Sequence, residues 1–411
     1  MSKTATSESG MSDGPGAPRG PAARARDAPP WRGRGPSPTL HTLQELEHLL
    51  ERGGSLQGVS LQGLDLGHLG LDWSAIEVRD ALFLGCHFAS DAEAAAVRAG
   101  GGLLFPRLDG LPYDPWRASL YTWQELLGGY DPDADRSLDH AIYRHFVERG
   151  RHNPDVREAL AQRLHDHAID DALRDLVGFE PDGMTGRPLV GVMGGHGVPR
   201  GSPEYRRAAR IARLLARRGF VVASGGGPGV MEAANLGAWL SPRDESELEA
   251  AIDHLARDPE FRGRGYVPRA LEVLERHAGG PESLAIPTWF YGHEPSNVFA
   301  TRIAKYFSNS LREDALLSLC LHGIVYARGS AGTTQEIFTD AAQNHYSTLD
   351  WVSPMVFLGR ERYIEETGIF PLLQRLARGR RYAELLLCSD DAEEIVSFLE
   401  QHPPQRSADG V

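Results

Sequence analysis

Ser224-Gly225-Gly226-Gly227-Pro228-Gly229-Val230-Met231-Glu232 places four glycines within nine residues. The apolar run 220–223 leads into it and a small-residue helix, 233–240, leads out, so the pattern is strand, glycine loop, helix. Glycine has no Cβ, and such a loop lets backbone N–H groups close on an anion at the positive end of a helix dipole. A second loop of like build follows at Arg328-Gly329-Ser330-Ala331-Gly332-Thr333-Thr334-Gln335-Glu336. The expectation is that the two loops face each other and hold one nucleotide.

Outward from the first loop, apolar runs alternate with helical stretches. Strands are expected at 189–193, 220–224, 284–288, 324–327, 354–358 and 385–388. Helices are expected at 204–217, 297–321, 334–345, 362–378 and 391–401, with a mostly helical insert at 245–277. Ile211, Leu214 and Leu215 mark the apolar side of the first of these. Alternation of this kind builds an α/β, Rossmann-like, doubly wound parallel sheet, with ligands at the C-terminal strand ends. Three such ends carry glycine or hydroxyl loops: Gly194-Gly195-His196-Gly197, Ser224 to Gly229, and Gly329 to Thr333. The dinucleotide fingerprint belongs after the first strand, and here the richest loop follows the second. No Gly-Lys-Ser/Thr occurs either, so hydride and phosphoryl transfer are not the favoured chemistries.

The pair Gly225-Gly226-Gly227-Pro228-Gly229-Val230-Met231 and Gly329-Ser330-Ala331-Gly332-Thr333-Thr334-Gln335-Glu336 resembles the Lonely Guy (LOG) family. The resemblance covers about residues 188–400. It implies a nucleoside 5′-monophosphate nucleosidase (phosphoribohydrolase) that releases a free base and ribose 5-phosphate. The extra N-terminal region resembles the longer nucleotide nucleosidases of the same superfamily. Carried over, Glu336 matches the catalytic acid, and Gly329, Gly332 and Thr333 match the phosphate-cradling turn, with Ser330 inside it. Gly226, Gly227, Gly229 and Met231 match the first loop. The family's catalytic arginine lies on a helix between the motifs, and Arg302 is its best match, followed here by Ile303 and not by lysine. Two further departures are Arg328-Gly329-Ser330 where the family has Pro-Gly-Gly, and Gln335-Glu336 where it has two acids.

The chemistry gives these roles a physical basis. Departure of the base builds positive charge on the ribose, and a carboxylate beside C1′ stabilises it and orients water. Glu336, three residues after Thr333, falls one turn into a helix whose N-terminus would hold the phosphate. On a helix, Arg302 and Lys305 share a face and both reach the phosphate or ribose. Gly194 and Gly195 add backbone donors. The segment Trp289-Phe290-Tyr291-Gly292-His293-Glu294-Pro295-Ser296-Asn297 has aromatics and polar tips suited to a base, with Trp289, Tyr291 and Asn297 as candidates. The alternative is a nucleotide-binding sensor on the same fold, with little turnover.

The N-terminal part divides into a tail, 1–40, rich in Gly, Pro, Ala and Arg, and an accessory region, 41–180. The Rossmann-like domain spans 181–402, and 403–411 reads as a flexible tail. Within the accessory region a helix at 42–52 precedes apolar residues at a period of five: Leu56, Leu61, Leu66, Leu71 and Ile76. That period resembles a pentapeptide β-helix, too short here to stand alone; accidental spacing is the other reading. A short turn is expected at 122–127, then two helices within 138–177 that break near 150–154. Ile142 and Phe146, then Val156, Leu160 and Leu164, are expected as their packing faces. His140, His145, His152, His165 and His167 show no metal-ligand spacing and read as surface or capping residues.

The 411 residues carry a formal net charge of −13, which makes nucleic acid an unlikely partner. The three cysteines, Cys86, Cys320 and Cys388, form no metal motif, and no cofactor or metal is expected. The first residues have no apolar signal core and no run is long enough for a membrane helix, so a cytoplasmic protein is expected. The resemblance implies a homodimer or higher homo-oligomer. The chain has two lysines, Lys3 and Lys305, among its 43 Lys and Arg residues. A need for a compact ammonium would hold Lys305 in place, with chance retention the other reading.

Overall fold

The period-five leucines turn inward together. The computed structural model describes residues 38–131, 136–180 and 182–407, so the expected tail 1–40 falls almost wholly outside them. The chain divides into Met1–Pro38 and Thr39–Val411, and the elements of the described residues lie in the second part. It begins with β1 (Thr39–Leu40) and α1 (Leu43–Glu51), whose N-terminus is closed by a reciprocal Thr42–Glu45 capping box. Strands β2 (Ser60–Gln62) and β3 (Leu82–Leu84), helix α2 (Asp91–Ala99) and strand β4 (Leu103–Phe105) follow. The four strands pair in parallel in chain order, with Leu61 opposite Phe83 and Phe83 opposite Leu104. Leu56, Leu61 and Leu66 are buried inside this coil with Val59 and Leu64. Leu69, Leu71 and Ile76 sit at its half-buried margin, and Trp73 crosses Phe83 edge-on at 5.6 Å to close the core.

Helices α3 (Trp123–Leu126), α4 (Leu138–Glu148) and α5 (Val156–Val177) complete the accessory part, with the break where the sequence places it. Ile142 and Phe146 are buried as expected. The face expected for α5 is corrected: Val156 is 86% exposed and Leu160 45% exposed. Its inward face is Ala161, His165, Ala168, Ile169, Ala172 and Leu173, small and polar enough that an apolar count points the wrong way. His165 is likewise no surface residue. It is fully buried, 2.8 Å from the Tyr121 hydroxyl, while the next residue, Asp166, accepts the N–H groups of Phe307 and Ser308 at 2.9 and 2.8 Å.

The larger layer contains β5 (Leu189–Met193), α6 (Pro203–Arg217), β6 (Val221–Ser224), α7 (Val230–Trp239), α8 (Glu245–Leu255) and α9 (Tyr266–Arg276). It continues with β7 (Leu284–Ala285), β8 (Arg302–Ile303), α10 (Asn309–Leu319), β9 (Ile324–Tyr326), α11 (Ala331–Tyr346) and β10 (Trp351–Val352). The last elements are β11 (Met355–Leu358), α12 (Ile369–Leu376), β12 (Leu386–Ser389), α13 (Ala392–Gln401) and β13 (Gln405–Arg406). Seven strands form one parallel sheet in the order β12-β11-β9-β5-β6-β7-β8. This is the doubly wound sheet expected from the sequence, with β8 added at one edge. Alternate residues of β5 serve opposite faces: Leu189 and Met193 join one core, Val190 and Val192 the other. Strand order reverses between β5 and β9, which is where such sheets place ligands.

The helix expected over 297–321 begins only at Asn309. The preceding residues are extended because both sides of β8 are claimed. Ala304 N–H bonds to Ala285 on β7, and Ile303 exchanges both backbone hydrogen bonds with Tyr121 of the accessory part. Gln405 and Arg406, expected in a tail, pair with β10. Among the described residues no helix is long and apolar enough to cross a membrane.

Candidate functional site

The three glycine loops lock together at the switch point. Gly195 N–H donates to the Arg328 carbonyl at 2.9 Å, and Val230 N–H reaches the Gly195 carbonyl at 3.3 Å. Gly229 has φ of +70°, and a Cβ there would lie 2.5 Å from the Gly195 oxygen. Behind the first loop, Ser224 Oγ donates to Asn235 and accepts the Gly226 N–H at 3.1 Å. Where the loops meet, a cavity of about 1090 Å³ opens, lined by Gly194, Gly195, Gly226, Met231, Ser330, Gly332 and Thr333 among others. Gly227, Gly229 and Gly329 are packing positions that let the loops close. A Cβ on Gly227 would meet Glu294 at 2.6 Å, and one on Gly329 would meet Thr333 at 2.1 Å.

Helix α11 starts at the cavity wall. Ser330 is its N-cap residue and makes no side-chain cap, no acid occupies the first turn, and a Cβ on Gly332 would meet nothing within 4 Å. The positive end of the dipole therefore faces the cavity without an internal anion. Glu336 lies one turn further on, 8% exposed and lining the same cavity. Its Oε1 accepts from Arg312 Nη1 at 2.8 Å, and Arg312 is itself fixed by Nε donating to the Ile286 carbonyl at 3.0 Å. Burial pushes the Glu336 carboxyl above its ordinary range; the Arg312 charge and hydrogen bond pull it back in part, and neighbouring Glu313 adds to the rise.

Gln335 donates to Glu313 at 2.8 Å. A second acid at 335 would set two carboxylates against each other, which accounts for the amide in this chain. On the next turn of α11, Asp340 is buried and accepts from the Tyr326 hydroxyl at 2.8 Å. Burial lifts its carboxyl to about 7, against the lowering effect of that hydrogen bond.

The remaining candidates separate. Arg302 is exposed on the edge strand β8 and is not among the residues lining the cavity. Since it is on no helix, the shared helical face with Lys305 is withdrawn. Lys305 does line the cavity. It is 3% exposed, with Nζ 2.8 and 2.9 Å from the two Asp139 oxygens. Trp289 is fully buried and donates its indole N–H to Asp139 at 2.7 Å, so it braces the wall and offers no face to a base. Asn297 is buried behind the first loop, donating to Asn235 at 2.9 Å. Tyr291 is 65% exposed and lines the cavity, its hydroxyl accepting from Asn309 at 3.0 Å. Arg328 turns to Glu366 at 3.1 Å.

Sequence reasoning missed Arg312, Glu313 and Asp139. The first two belong to the charged run Arg312-Glu313-Asp314 of α10, which by its composition reads as a solvent-facing stretch. Nothing in spacing places Asp139, at the start of α4, beside Lys305.

Residues 187–241, which hold the Gly194–Gly197 and Ser224–Gly229 loops and not the one at Gly329–Thr333, match the model of the SLOG cluster4 family. That match covers β5 through α7. No curated protein matches the chain. Among solved structures, the Moco carrier protein of Chlamydomonas reinhardtii aligns at 18% identity and a TM-score of 0.33, over 52% of this chain and 96% of its own. The molybdenum cofactor binding protein of Rippkaea orientalis aligns at 17% identity and a TM-score of 0.32, over 52% and 96%.

Proposed function

We propose that the chain is a nucleoside 5′-monophosphate nucleosidase. The observation that carries the reading is that Glu336, a buried carboxylate on α11, shares one cavity with the open N-terminus of the same helix. A phosphate on the N–H groups at Gly332 and Thr333 sets the ribose along the first turn, with C1′ toward Glu336. Water attacks C1′ and gives its proton to Glu336. The C1′–N bond breaks, its electron pair passes to the base nitrogen, and the base takes up a proton. A carboxyl raised by burial is the better proton acceptor near neutral pH. The arginine role that the family resemblance assigned to Arg302 passes to Arg312, which orients the carboxylate. Tyr291 remains the base-side candidate; Trp289 and Asn297 become supporting residues.

The second reading, a nucleotide-binding sensor with little turnover, rests on the Arg312–Glu336 ion pair, which already engages one carboxylate oxygen. Incubation of the full chain with AMP, GMP, CMP, UMP and IMP, scored for ribose 5-phosphate, separates the two. Product from at least one supports the nucleosidase; tight binding of one without product supports the sensor.

A further inference from the structure

One buried carboxylate in the cavity has only neutral partners. Glu313 lines the cavity and is 7% exposed. Its Oε1 accepts from Asn309 Nδ2 at 2.7 Å and its Oε2 from Gln335 Nε2 at 2.8 Å. Both donors are amides, and among the described residues no arginine, lysine or histidine pairs with it. The nearby cations are engaged elsewhere: Arg312 holds Glu336, and Lys305 holds Asp139. A carboxylate is acceptor-only, and each of its oxygens can accept a second hydrogen bond. A buried one with no cation beside it gains from a further donor.

Its position is fixed from two sides. Asn309 opens α10, and the same amide nitrogen also donates to the Tyr291 hydroxyl at 3.0 Å. Gln335 precedes Glu336 on α11 and Arg312 precedes Glu313 on α10, so two links join the Glu313 and Glu336 carboxylates. Glu313 is thus tied both to the acid and to the base-side tyrosine. Burial raises the Tyr291 phenol and the Glu336 carboxyl, and the Glu313 charge adds to each rise.

Resting on the nucleotide reading above, we infer that Glu313 accepts the ribose 2′-hydroxyl and so selects ribonucleotides over 2′-deoxyribonucleotides. With C1′ toward Glu336 and the base toward Tyr291, the 2′-oxygen is one carbon from the reacting centre, on the ground to which Glu313 is tied. An exocyclic amine of the base lies across the ring from C1′. Positive charge developing at C1′ makes the 2′-hydroxyl a stronger donor, so this hydrogen bond tightens in the transition state. The preference is therefore expected in kcat as well as in binding.

The test compares AMP, GMP, CMP and UMP with their 2′-deoxy forms on the full chain, wild type against Glu313→Gln. Affinity is read by calorimetric titration, and kcat/KM is read for any nucleotide that is hydrolysed. The glycosidic bond is intrinsically more labile in the deoxy series. The quantity read is therefore the ribo-to-deoxy preference of wild type divided by that of the variant, in which this difference cancels. That quotient is expected to be about tenfold or more, the worth of one hydrogen bond to a charged group, with the deoxy values near wild type. Glutamine turns its own amide toward Asn309 or Gln335, so thermal melts accompany the titrations. If the variant is unfolded, the wild-type Kd values for each ribo and deoxy pair carry the test, and equal values overturn the assignment. A quotient near one, with both sugars weakened alike, makes Glu313 a structural acceptor, overturns the assignment and leaves the nucleotide reading standing. A loss confined to bases that bear an exocyclic amine, and equal for both sugars, overturns it in the same way. Binding of none of these nucleotides overturns both.

Discussion

Asp139 and Lys305 form a buried ion pair, Oδ1 to Nζ 2.8 Å, between the accessory helix α4 and the segment that follows β8. Trp289 and Ser296 each donate to the same carboxylate at 2.7 Å. Burial alone would raise the Asp139 carboxyl; Lys305 overcomes it and holds it below the ordinary range. Removing one partner strands the other. Asp139→Ala is expected to cost about 3–5 kcal/mol in urea unfolding. The double variant Asp139→Leu/Lys305→Met is expected to recover most of that loss. A single variant as stable as wild type would show that the pair does not join the two parts.

Arg312 and Arg302 make opposite predictions. Arg312→Ala frees the Glu336 carboxylate and is expected to lower turnover by about 10² or more. Arg302→Ala, on an exposed edge, is expected to leave rate and stability near wild type. Steady-state assays on the two proteins decide it, and a reversed order would return the role to Arg302.

Two glycines separate packing from binding. Gly229→Ala places a Cβ against the Gly195 carbonyl at a backbone angle that disfavours side chains. It is expected to cost about 2 kcal/mol or more in stability. Gly332→Ala meets nothing in the protein and is expected to leave the melt unchanged while weakening nucleotide binding. Thermal melts with and without AMP read both effects.

Asp340 gives stability a pH dependence. A carboxyl whose folded value is raised to about 7 is more protonated in the folded chain than in the unfolded one. Its contribution is complete below the unfolded value near 3.8 and is lost as pH rises to about 7. The worth is about 1.4 kcal/mol for each unit of separation. Asp340→Asn should therefore be favoured relative to wild type at pH 8 and not at pH 4, read from denaturant midpoints at both. A variant whose relative stability is the same at the two pH values would contradict this.

What the sequence discloses follows how local the cause is. The glycine loops announce themselves because only glycine permits their close contacts, and Thr333 and Glu336 follow at fixed helical spacing. The period-five leucines mark a coil because each residue answers to the layer above. Arg302 misled because residues 297–308 have helical composition, yet two neighbours, β7 and Tyr121, claim their backbone. The inward face of α5 misled because it packs through Ala161, His165 and Ala168 and leaves Val156 in solvent. Arg312 and Asp139 were hidden because their partners are distant in sequence, and only the packing of α10 on α11 and of α4 on the sheet edge joins them.

In the proposed nucleosidase, Glu336 performs chemistry on a nucleotide held by the helix it belongs to. The direct measurement is ribose 5-phosphate release from the five nucleoside monophosphates by wild type and by Glu336→Gln at matched protein and substrate concentrations. Release by wild type from at least one nucleotide is expected, with a loss of about 10²-fold or more in the variant and binding retained. Full turnover by Glu336→Gln, or no release by wild type from any of the five, would contradict it.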